Sequence, residues 1–508
     1  MTPPTRNGMD RRALLKLTVA GLGAGATALL SGCAEDSTAA DGPQPGRDSA
    51  GDRNRLHVPP LVESSPGAGQ PRTFDLIVQA GRSAIVPAGE TDTWGYNGTQ
   101  LGPTLRVRRG EQVRVNVRNT LGEATSVHWH GMHVPATADG GPHQSIDPGA
   151  TWSPVWTVDQ PAATLWYHPH PHGQTEAHVY RGLSGMLIVD DDDEARLALP
   201  RTYGVDDIPV IVQDKTFDET GRLIDTTHVG TGMLGDTILV NGTAGAQFTA
   251  TSDRVRMRLL NASTARSYAF GFADDREFDL IATDGGLLAA PLRTARITLT
   301  PGERAEIIVS LTGGEQVMFR SYPQDLGASG AGTGADDMFD VLRLDAAAGL
   351  RSSPPTPDRL TRLDRLPASA ARTTRRFEIN LDRINDEKMD MSRVDQVVTM
   401  NTTEIWEVAN TTRTPHNFHV HGVRFQILTI DGQDPPAELA GWKDTVYTPP
   451  GIPLRLIMRF TGSTDPVTPY MYHCHMLWHE DIGMMGQFVI VAPGEQAATI
   501  PTAEHQHD

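Results

Sequence analysis

Three stretches of the chain alternate apolar and polar residues and then end on an asparagine. They are GEQVRVNVRNT from Gly110, SDRVRMRLLNAS from Ser252 and NTTEIWEVANTT from Asn401. An alternation with a period of two is typical of a strand with one buried face, and asparagine is typical of the turn that follows. A Pro-Gly pair comes after each stretch, and the three pairs are Pro148-Gly149, Pro301-Gly302 and Pro450-Gly451. The same unit of strand and turn is therefore predicted three times.

The spacing of these units predicts three domains. The units recur roughly every 150 residues, which is too long for a solenoid repeat and suits a β-sandwich. The 50 glycines and 36 prolines in 508 residues also favour short strands joined by turns. We therefore predict an all-β chain with sandwiches at 70–195, 196–350 and 372–495, and a linker at 351–371.

The N-terminal segment predicts export. Arg11 and Arg12 precede a run rich in glycine and alanine, which ends in LLSGC with Cys33 last. This arrangement resembles a twin-arginine signal followed by a lipobox, in which Cys33 becomes the lipidated first residue. An uncleaved membrane anchor is the alternative, which the glycines of the run disfavour. We assign 1–33 to the signal, 34–69 to a flexible tether and 496–508 to a tail, and expect a lipid-anchored protein of the cell envelope.

Cys33 and Cys474 are the only two cysteines. If Cys33 carries lipid, Cys474 has no partner for an intramolecular disulfide. A single thiol in an exported protein is open to oxidation unless it is buried or bound to a metal. Cys474 is therefore a candidate metal ligand or a buried structural thiol.

The 18 histidines form six His-x-His pairs, where independent placement predicts fewer than about one. Residues two apart on a strand project from the same face, so each pair can present two imidazoles to one place. Of the six, His170/His172 overlaps another pair and His505/His507 lies in the tail. The other four lie in strand-like, apolar or aromatic surroundings: His128/His130, His168/His170, His419/His421 and His473/His475.

These four pairs predict a metal cluster between two domains. Two pairs fall in the first predicted sandwich and two in the third, whereas the second contains only His228. A chance surface pair explains any one of them, but not four pairs in matched repeats. Eight imidazoles are too many for one ion and enough for about three. Imidazole suits copper, zinc, iron and nickel, so the histidines alone leave the metal open.

Cys474 predicts a second metal site next to the cluster. It lies between two of the eight histidines, so on a strand its side chain projects from the opposite face. A thiolate, two imidazoles and a weak methionine ligand form the trigonal site of an electron-transfer copper. His479 and Met484 follow Cys474 by five and ten residues, and His416 lies in the same domain. A zinc site or a buried thiol is the alternative, but neither accounts for the eight histidines.

With these motifs, residues 70–495 resemble a three-domain multicopper oxidase of the laccase type, bacterial and exported. The resemblance implies three cupredoxin-like Greek-key sandwiches and four copper ions: one type 1, one type 2 and a type 3 pair. It also implies that electrons are taken singly from a donor and reduce dioxygen to water. The implied ligands are His416, Cys474, His479 and Met484 for type 1, His128 and His419 for type 2, and His130, His168, His170, His421, His473 and His475 for type 3.

Oxygen reduction also needs protons, and the family places acids beside the cluster. Asp139, in TADGGP, and Glu480, directly after His479, match those positions. The alternatives are a turn-forming aspartate and a carboxylate that only orients a ligand. We predict that Asp139 and Glu480 take part in proton delivery.

The electron donor is less strongly indicated. Thr412 and Thr414 stand where the cuprous oxidases of the family have aspartate and methionine, and there is no Met-rich insert. We therefore predict phenols and aromatic amines as donors. An oxidase of Cu(I), Mn(II) or Fe(II) is the alternative, because Met389, Asp390 and Met391 form a soft-ligand cluster. Methionines two apart are otherwise typical of one buried strand face.

Two other classes are disfavoured. A copper nitrite reductase would lack the third sandwich and the four His-x-His pairs. A copper-free relative that serves in envelope assembly would lack the twelve ligands, all of which are present. The net charge of −18 also disfavours a nucleic-acid partner.

Overall fold

The computed structural model describes residues 54–63, 71–328 and 332–500. The predicted signal with Cys33, most of the predicted tether and the tail pair His505/His507 lie outside these residues. Within the described part, no helix is both long and apolar enough to span a membrane. Strands form nearly all of the regular structure, so the prediction of an all-β fold is confirmed.

The first sandwich consists of ten strands in two sheets. The strands are β1 (Leu61–Glu63), β2 (Arg72–Val86), β3 (Gly89–Tyr96), β4 (Thr104–Arg108), β5 (Gln112–Asn119), β6 (His128–His130), β7 (Thr151–Trp152), β8 (Val155–Thr157), β9 (Ala163–His168) and β10 (Gly185–Asp190). One sheet has the order β1-β4-β10-β9-β6, and the other has the order β3-β2-β5-β7 with β8 also on β5. Helices α1 (Thr175–Arg181) and α2 (Asp192–Ala195) flank β10, and a 3-10 helix covers Ala136–Ala138.

The second sandwich consists of twelve strands. They are β11 (Asp207–Lys215), β12 (Thr237–Val240), β13 (Thr243–Ala244), β14 (Gln247–Ser252), β15 (Arg254–Asn261), β16 (Tyr268–Phe272), β17 (Phe278–Thr283), β18 (Gly286–Thr294), β19 (Ile297–Leu299), β20 (Arg304–Ser310), β21 (Gln316–Tyr322) and β22 (Phe339–Arg351). A sheet of order β13-β12-β11-β15-β20-β17-β18 packs on a sheet of order β14-β22-β21-β16-β19. Residues 352–367 then cross to the third sandwich without helix or strand.

The third sandwich consists of ten strands. They are β23 (Ala371–Asn380), β24 (Arg383–Ile384), β25 (Gln396–Thr399), β26 (Thr403–Asn410), β27 (His416–Val420), β28 (Phe425–Ile430), β29 (Thr445–Thr448), β30 (Leu454–Arg459), β31 (Asp465–His473) and β32 (Met485–Val491). The sheets have the orders β24-β23-β26-β30-β28 and β25-β32-β31-β27-β29. Helix α3 (Leu477–Asp481) follows β31, and 3-10 helices cover Ala368–Ala370 and Ala437–Leu439.

The three sandwiches repeat the same strand pairings. A parallel pair joins the long first strand of each to the alternating strand, in β2 with β5, β11 with β15 and β23 with β26. A second parallel pair recurs in the facing sheet, in β4 with β10, β14 with β22 and β25 with β32. Pairing between strands that are distant in sequence is the mark of a Greek-key sandwich. The cupredoxin-like fold is therefore present three times.

The asparagine that ends each alternating strand fixes the turn after it. In each sandwich its side-chain amide donates to two backbone carbonyls, and its own backbone carbonyl accepts from the glycine of the Pro-Gly turn. These amides are buried, so the bonds they make replace lost water contacts. The pairs are Asn119 with Gly149, Asn261 with Gly302 and Asn410 with Gly451.

Strand β5 has the predicted alternation, whereas β15 does not. In β15 both faces are buried, including Arg256 and Arg258. The two guanidiniums lie 2.5 Å and 3.0 Å from the carboxylate of Glu306, which also accepts from Thr164 of the first sandwich. The prediction of a half-buried strand is wrong here because the outer face of the second sandwich packs against the first.

The predicted tether differs from the structure over residues 54–63. The backbone N–H of Leu56 donates to the carbonyl of Gln247 at 2.7 Å, and the Leu56 side chain is buried in the second core. Strand β1 then pairs in parallel with β4. An apolar side chain and a free sheet edge are enough to order this part of the chain.

Candidate metal centre

Strand register brings the four histidine pairs together. In the first sandwich β6 runs antiparallel to β9 with His128 opposite His168. In the third, β27 runs antiparallel to β31 with His419 opposite His473. The second histidine of each pair lies on the same face of its sheet as the first. The histidine face of the first sandwich meets that of the third at the boundary between them.

The eight histidines form one buried cluster. Their side chains are at most 1% exposed, and the Nε2 atom of His473 lies 3.1 Å from that of His421 and 3.2 Å from that of His170. The rings of His130 and His419, which come from different sandwiches, stack at 3.7 Å. Three sets of ligand atoms are close enough to share an ion each: His128/His130/His419, His130/His168/His475 and His170/His421/His473.

Backbone carbonyls orient the rings. The Nδ1–H of His128 donates to the Asp139 carbonyl at 2.9 Å, and that of His419 donates to the Asp444 carbonyl at 2.9 Å. The bond at Nδ1 fixes the tautomer and leaves Nε2 with a free lone pair, as is usual for metal-bound histidine. Burial also lowers the pKa of both imidazoles well below the usual value, so both are neutral at pH 7.

Several ring nitrogens of the cluster have no hydrogen-bond partner among the described residues. A buried polar atom without a partner costs about 1 to 3 kcal/mol, and this cluster contains many. A metal ion supplies the missing partner, so the donor set fits a cluster of metal ions. The atoms include Nε2 of His128, His168 and His419, Nδ1 of His130, and both nitrogens of His475.

Cys474 lies in a second set of ligand atoms. Its Sγ is 3.5 Å from Nδ1 of His416 and 3.6 Å from Nδ1 of His479, and all three residues are buried. Burial raises the pKa of the thiol to about 12, so a thiolate at this place needs a bound cation. Met484 is buried in the same core cluster, and its carbonyl accepts from the backbone N–H of Cys474 at 3.2 Å.

One tripeptide joins the two sites. His473 belongs to the set with His170 and His421, and His475 belongs to the set with His130 and His168. Cys474 between them points to the second set of ligand atoms, as the alternation of side chains along a strand predicts. The thiol is therefore covalently connected to both halves of the histidine cluster.

The two acids predicted from sequence both contact the cluster. Asp139 Oδ2 is 2.8 Å from Nδ1 of His421, and burial raises the pKa of this carboxyl well above the usual value. Glu480 lies 3.3 Å from Nδ1 of His170 and 3.2 Å from Nδ1 of His473. Burial opposes the ionisation of Glu480, but these two histidines outweigh it and lower the pKa of the carboxyl to about 2.

The second sandwich supports the cluster although it contributes no histidine to it. Asp444 Oδ1 lies 3.1 Å from Nε2 of His130, which leaves Nδ1 of that ring free. The guanidinium of Arg304 donates to both oxygens of Asp444. Neither residue was predicted. Arg304 begins β20 and Asp444 directly precedes β29, and a charge at the end of a strand does not indicate a partner in another sandwich.

The Pro-Gly turn of the second sandwich lies against the histidine rings. The side chain of Asn417 donates to the Pro301 carbonyl at 2.9 Å and accepts from the backbone N–H of His475 at 2.6 Å. Gly302 has a φ of +86°, and a Cβ there would lie 3.1 Å from the rings of His130 and His475. A glycine is needed at this turn both for its backbone angle and for its small size.

Comparison with known proteins identifies the family. Three profiles described as multicopper oxidase match residues 78–194, 210–331 and 354–494. The multicopper oxidase mco of Staphylococcus haemolyticus is 34% identical over 451 residues, which cover 87% of this chain and 94% of that protein. The chain belongs to the multicopper oxidase family.

Other members of the family differ in what they are named for. A protein of Xenorhabdus nematophila called cell division protein FtsP is 36% identical over 453 residues, which cover 87% of this chain and 93% of that protein. The crystal structure of a laccase from Pediococcus acidilactici has 34% identity and a TM-score of 0.79, and the match covers 88% of this chain and 94% of that one. Membership of the multicopper oxidase family implies copper as the metal.

In this multicopper oxidase, His416 and His479 each direct Nδ1 toward Cys474, and the Nε2 atom of each ring is hydrogen-bonded to protein. His416 Nε2 lies 3.0 Å from Thr414 Oγ1, and His479 Nε2 donates to the Gly230 carbonyl at 3.0 Å. Thr414 is the position that the sequence comparison with cuprous oxidases singled out. Both imidazole edges are therefore covered by protein, and one of the covers comes from the second sandwich.

The soft-ligand cluster lies along the strand that follows Met484. The Met389 N–H donates to the Gly483 carbonyl at 3.0 Å, and the carbonyls of Asp390 and Met391 accept from the side chain of Gln487. The Asp390 carboxylate is exposed and accepts from Ser392. His172, one residue beyond the second pair in its run, is exposed and belongs to none of the ligand sets.

Proposed function

We propose that this chain is a laccase-type oxidase that couples one-electron oxidation of phenols and aromatic amines to four-electron reduction of dioxygen to water. The observation that carries the proposal is the covalent connection from Cys474 to His473 and His475. A thiolate site for single electrons joined directly to a multi-ion histidine site suits a reaction in which four single electrons are collected for one oxygen molecule.

Four copper ions would be held by the twelve residues named from the sequence. Cys474, His416, His479 and Met484 would hold type 1 copper, His128 and His419 type 2, and the remaining six histidines the type 3 pair. Bound copper would supply electron transfer at the first site and dioxygen reduction at the cluster. The unpartnered ring nitrogens support this occupancy.

The acids beside the cluster divide the proton chemistry between them. Burial raises the pKa of the Asp139 carboxyl well above its usual value, so this group can hold a proton and give it toward His421. Glu480 is held ionised by His170 and His473, so it can accept a proton and pass it on. Two carboxyl groups with pKa values shifted in opposite directions are a common arrangement for acid and base roles.

The donor would meet the protein at Trp478 and His228. Because both type 1 imidazole edges are covered, the route inward begins at the residue before His479. The His228 ring stacks on Trp478 with a centroid distance of 4.1 Å and is 28% exposed. Its Nε2 lies 2.7 Å from the carboxylate of Glu176, which is buried. A planar aromatic donor can stack at this place.

The same pair favours a donor that loses a proton. A phenol that gives up one electron also releases its O–H proton, which needs an acceptor. Burial raises the pKa of Glu176, so the carboxylate can share a proton with His228. This argument favours phenols over metal ions, which release no proton on oxidation.

The metal-ion alternative rests on Met389 and Met391. Their segment is hydrogen-bonded to the backbone at Gly483, beside Met484, whereas Trp478 lies in helix α3 and His228 in a loop of the second sandwich. A Cu(I) ion bound there would reach the type 1 site from the methionine side. A structural role in envelope assembly is favoured only by the 36% identity to FtsP, and the twelve intact ligands count against it.

Oxygen uptake tests the proposal. The copper-loaded chain without residues 1–33 is given 2,6-dimethoxyphenol or a stabilised Cu(I) complex in parallel, and copper per chain is measured on the same sample. Faster uptake with the phenol is expected. Faster uptake with Cu(I) would instead establish the metal oxidase. If the chain retained no copper, both the phenol oxidase and the metal oxidase would be excluded, and the role in envelope assembly would remain.

Cys474→Ser is the matched variant. It should lose one copper ion per chain and the visible absorption of the thiolate site, and should keep the histidine-bound copper. His172→Ala, which changes an exposed histidine outside the ligand sets, should change neither.

The location remains part of this proposal. We propose export to the cell envelope and a lipid anchor at Cys33. Mass determination of the mature N-terminus tests it, since a diacylated Cys33 adds a characteristic mass and cleavage elsewhere does not.

A further inference from the structure

A cavity of about 420 Å³ lies where all three sandwiches and the linker meet. Arg109 and His133 of the first sandwich line it, together with Leu287 of the second and Arg424 and Trp442 of the third. None of these residues is a predicted copper ligand or acid. The three-domain cavity is therefore separate from the donor route at Trp478.

Two basic groups of the three-domain cavity, Arg424 and Arg109, have no ion-pair partner among the described residues. Arg424 stacks on Trp442 at 4.4 Å, and its side chain donates a hydrogen bond to the Gly285 carbonyl at 3.3 Å. Among the described residues, neither Arg424 nor Arg109 forms an ion pair within 4.0 Å. Burial and the nearby Arg109 lower the pKa of Arg424 to about 10, against the opposing effect of Asp159.

The acidic residues around the cavity are mostly engaged elsewhere. Asp191 accepts from three backbone N–H groups, Glu194 pairs with Arg256 at 2.8 Å, and Asp193 pairs with Arg196 at 2.9 Å. Only Asp159, which is exposed, lacks such a partner in the described chain. Apart from the groups paired with other charges, the lining keeps three guanidiniums, of Arg109, Arg424 and Arg459, against the carboxylates of Asp159 and Asp191. It is therefore net positive, in a protein whose net charge is −18.

His133 adds a neutral hydrogen-bond donor to the two guanidiniums of the three-domain cavity. The Nε2 atom of His133 is buried and has no hydrogen-bond partner in the described part of the chain. Burial and Arg424 lower the pKa of this imidazole to about 4, so it is neutral at pH 7 and can donate one N–H. Two guanidiniums and one imidazole N–H match the oxygens of a carboxylate.

We propose that the three-domain cavity binds a small organic acid, with its carboxylate at Arg424, Arg109 and His133 and its apolar body along Trp442 and Leu287. The volume exceeds what a lone inorganic anion fills, and the ring of Trp442 and the side chain of Leu287 give an apolar body a surface to cover. The bound acid would pair the unpartnered guanidiniums and contact all three sandwiches at once.

The site has a direct structural connection to the copper cluster. Trp442 lies two residues before Asp444, which orients His130 and His419, and His133 lies three residues after His130. An occupant that fixes these two segments would hold the first and third sandwiches together beside the cluster. We therefore expect the organic acid to raise the thermal stability of the whole chain.

Thermal unfolding of the full-length chain tests the proposal, with benzoate, its neutral isostere benzamide, and inorganic phosphate as probes. Benzoate should raise the Tm in a saturable way, while benzamide and phosphate should not. Isothermal titration with benzoate gives the Kd. Equal shifts with phosphate, or with benzamide, would overturn the organic-acid assignment, as would the absence of any saturable shift.

Two variants locate the binding. Arg424→Gln should weaken benzoate binding by about tenfold or more, because it removes a charge-assisted bond. Arg118→Gln, an exposed arginine on β5 outside the cavity, is the control and should bind as the parent does. If Arg424→Gln fails to fold, Arg109→Gln at the exposed rim serves instead. Unchanged benzoate affinity in a folded variant would contradict the proposal.

Discussion

The guanidinium of Arg304 donates hydrogen bonds to both carboxylate oxygens of Asp444, at 2.7 Å and 2.6 Å, although the two residues belong to different sandwiches. Asp444 also orients His130 and His419. One ion pair between the second and third sandwiches thereby supports the cluster, to which the second sandwich contributes no histidine.

Removal of this guanidinium should destabilise the protein strongly. Arg304→Gln leaves the Asp444 carboxylate buried without its partner, which costs about 3 to 5 kcal/mol. Urea unfolding measures the change. Arg82→Gln is the control, because the Arg82 pair with Glu90 is 62% and 57% exposed and should contribute less than about 1 kcal/mol. Equal losses in the free energy of unfolding for the two variants would show that the buried pair contributes no more than the exposed one.

The turn glycine beside the cluster should behave differently from its two counterparts. Gly149, Gly302 and Gly451 all have positive φ, so alanine costs each about 1 kcal/mol. Only at Gly302 would the new Cβ crowd histidine rings. Gly302→Ala should therefore also lower the copper content per chain, whereas Gly149→Ala and Gly451→Ala should keep it. Metal analysis of the three purified variants decides between these outcomes.

Replacement of the acids should slow oxygen reduction but not electron entry. Asp139→Asn and Glu480→Gln keep the shapes of the side chains and remove their proton chemistry, which is typically worth about 10²-fold or more. Stopped-flow reoxidation by oxygen should slow, while the visible absorption of the type 1 site should stay. Unchanged reoxidation in both variants would assign the acids to ring orientation alone.

The stability of the chain should depend on the protonation of Lys215. Burial lowers the pKa of this amine from 10.5 to about 7, against the opposing effect of Asp214. The unfolded chain therefore binds more protons than the folded one between pH 7 and 10.5, and the free energy of unfolding rises with pH across that window.

The comparison with Lys215→Met isolates this effect. From pH 7 to pH 9.5 the parent should gain on the order of 3 kcal/mol relative to Lys215→Met in urea unfolding. Lys388→Met, at a half-exposed lysine paired with Asp382, should not alter the pH dependence in this way. Parallel pH profiles for the parent and Lys215→Met would contradict the argument.

The donor route should be sensitive to His228. His228→Leu removes the partner of Glu176 and the imidazole that stacks on Trp478. We expect kcat/KM for 2,6-dimethoxyphenol to fall by about tenfold, with little change for ferrocyanide, which releases no proton. His57→Leu, at an exposed histidine far along the chain, is the control. An equal loss with both donors would assign His228 to electron transfer only.

Local patterns account for what the sequence predicted well. The alternation that ends at Asn119, and the histidines two apart, depend on strand geometry that neighbouring residues determine. The partners of Asp444 and the double burial of β15 depend on contacts between sandwiches. No pattern inside one strand encodes which domain will cover its outer face, so Arg304 and Arg258 gave no functional signal.

The ordered segment at 54–63 shows the same limit. Composition suggested a tether, but Leu56 and β1 find their places on cores and edges formed by residues much later in the chain. The cover over His479 by Gly230 is likewise a contact between domains. Sequence periodicity predicts which elements form and leaves open which surfaces they meet.

The division of the cluster between the first and third sandwiches has a consequence for biosynthesis. His128 leaves the ribosome more than 300 residues before His475, so the full set of ligands exists only after the last strands have been made and docked. An incomplete or wrongly docked chain cannot assemble the site. The metal can therefore be bound only late in biosynthesis. Its binding requires that the first and the third sandwich have both folded and docked correctly.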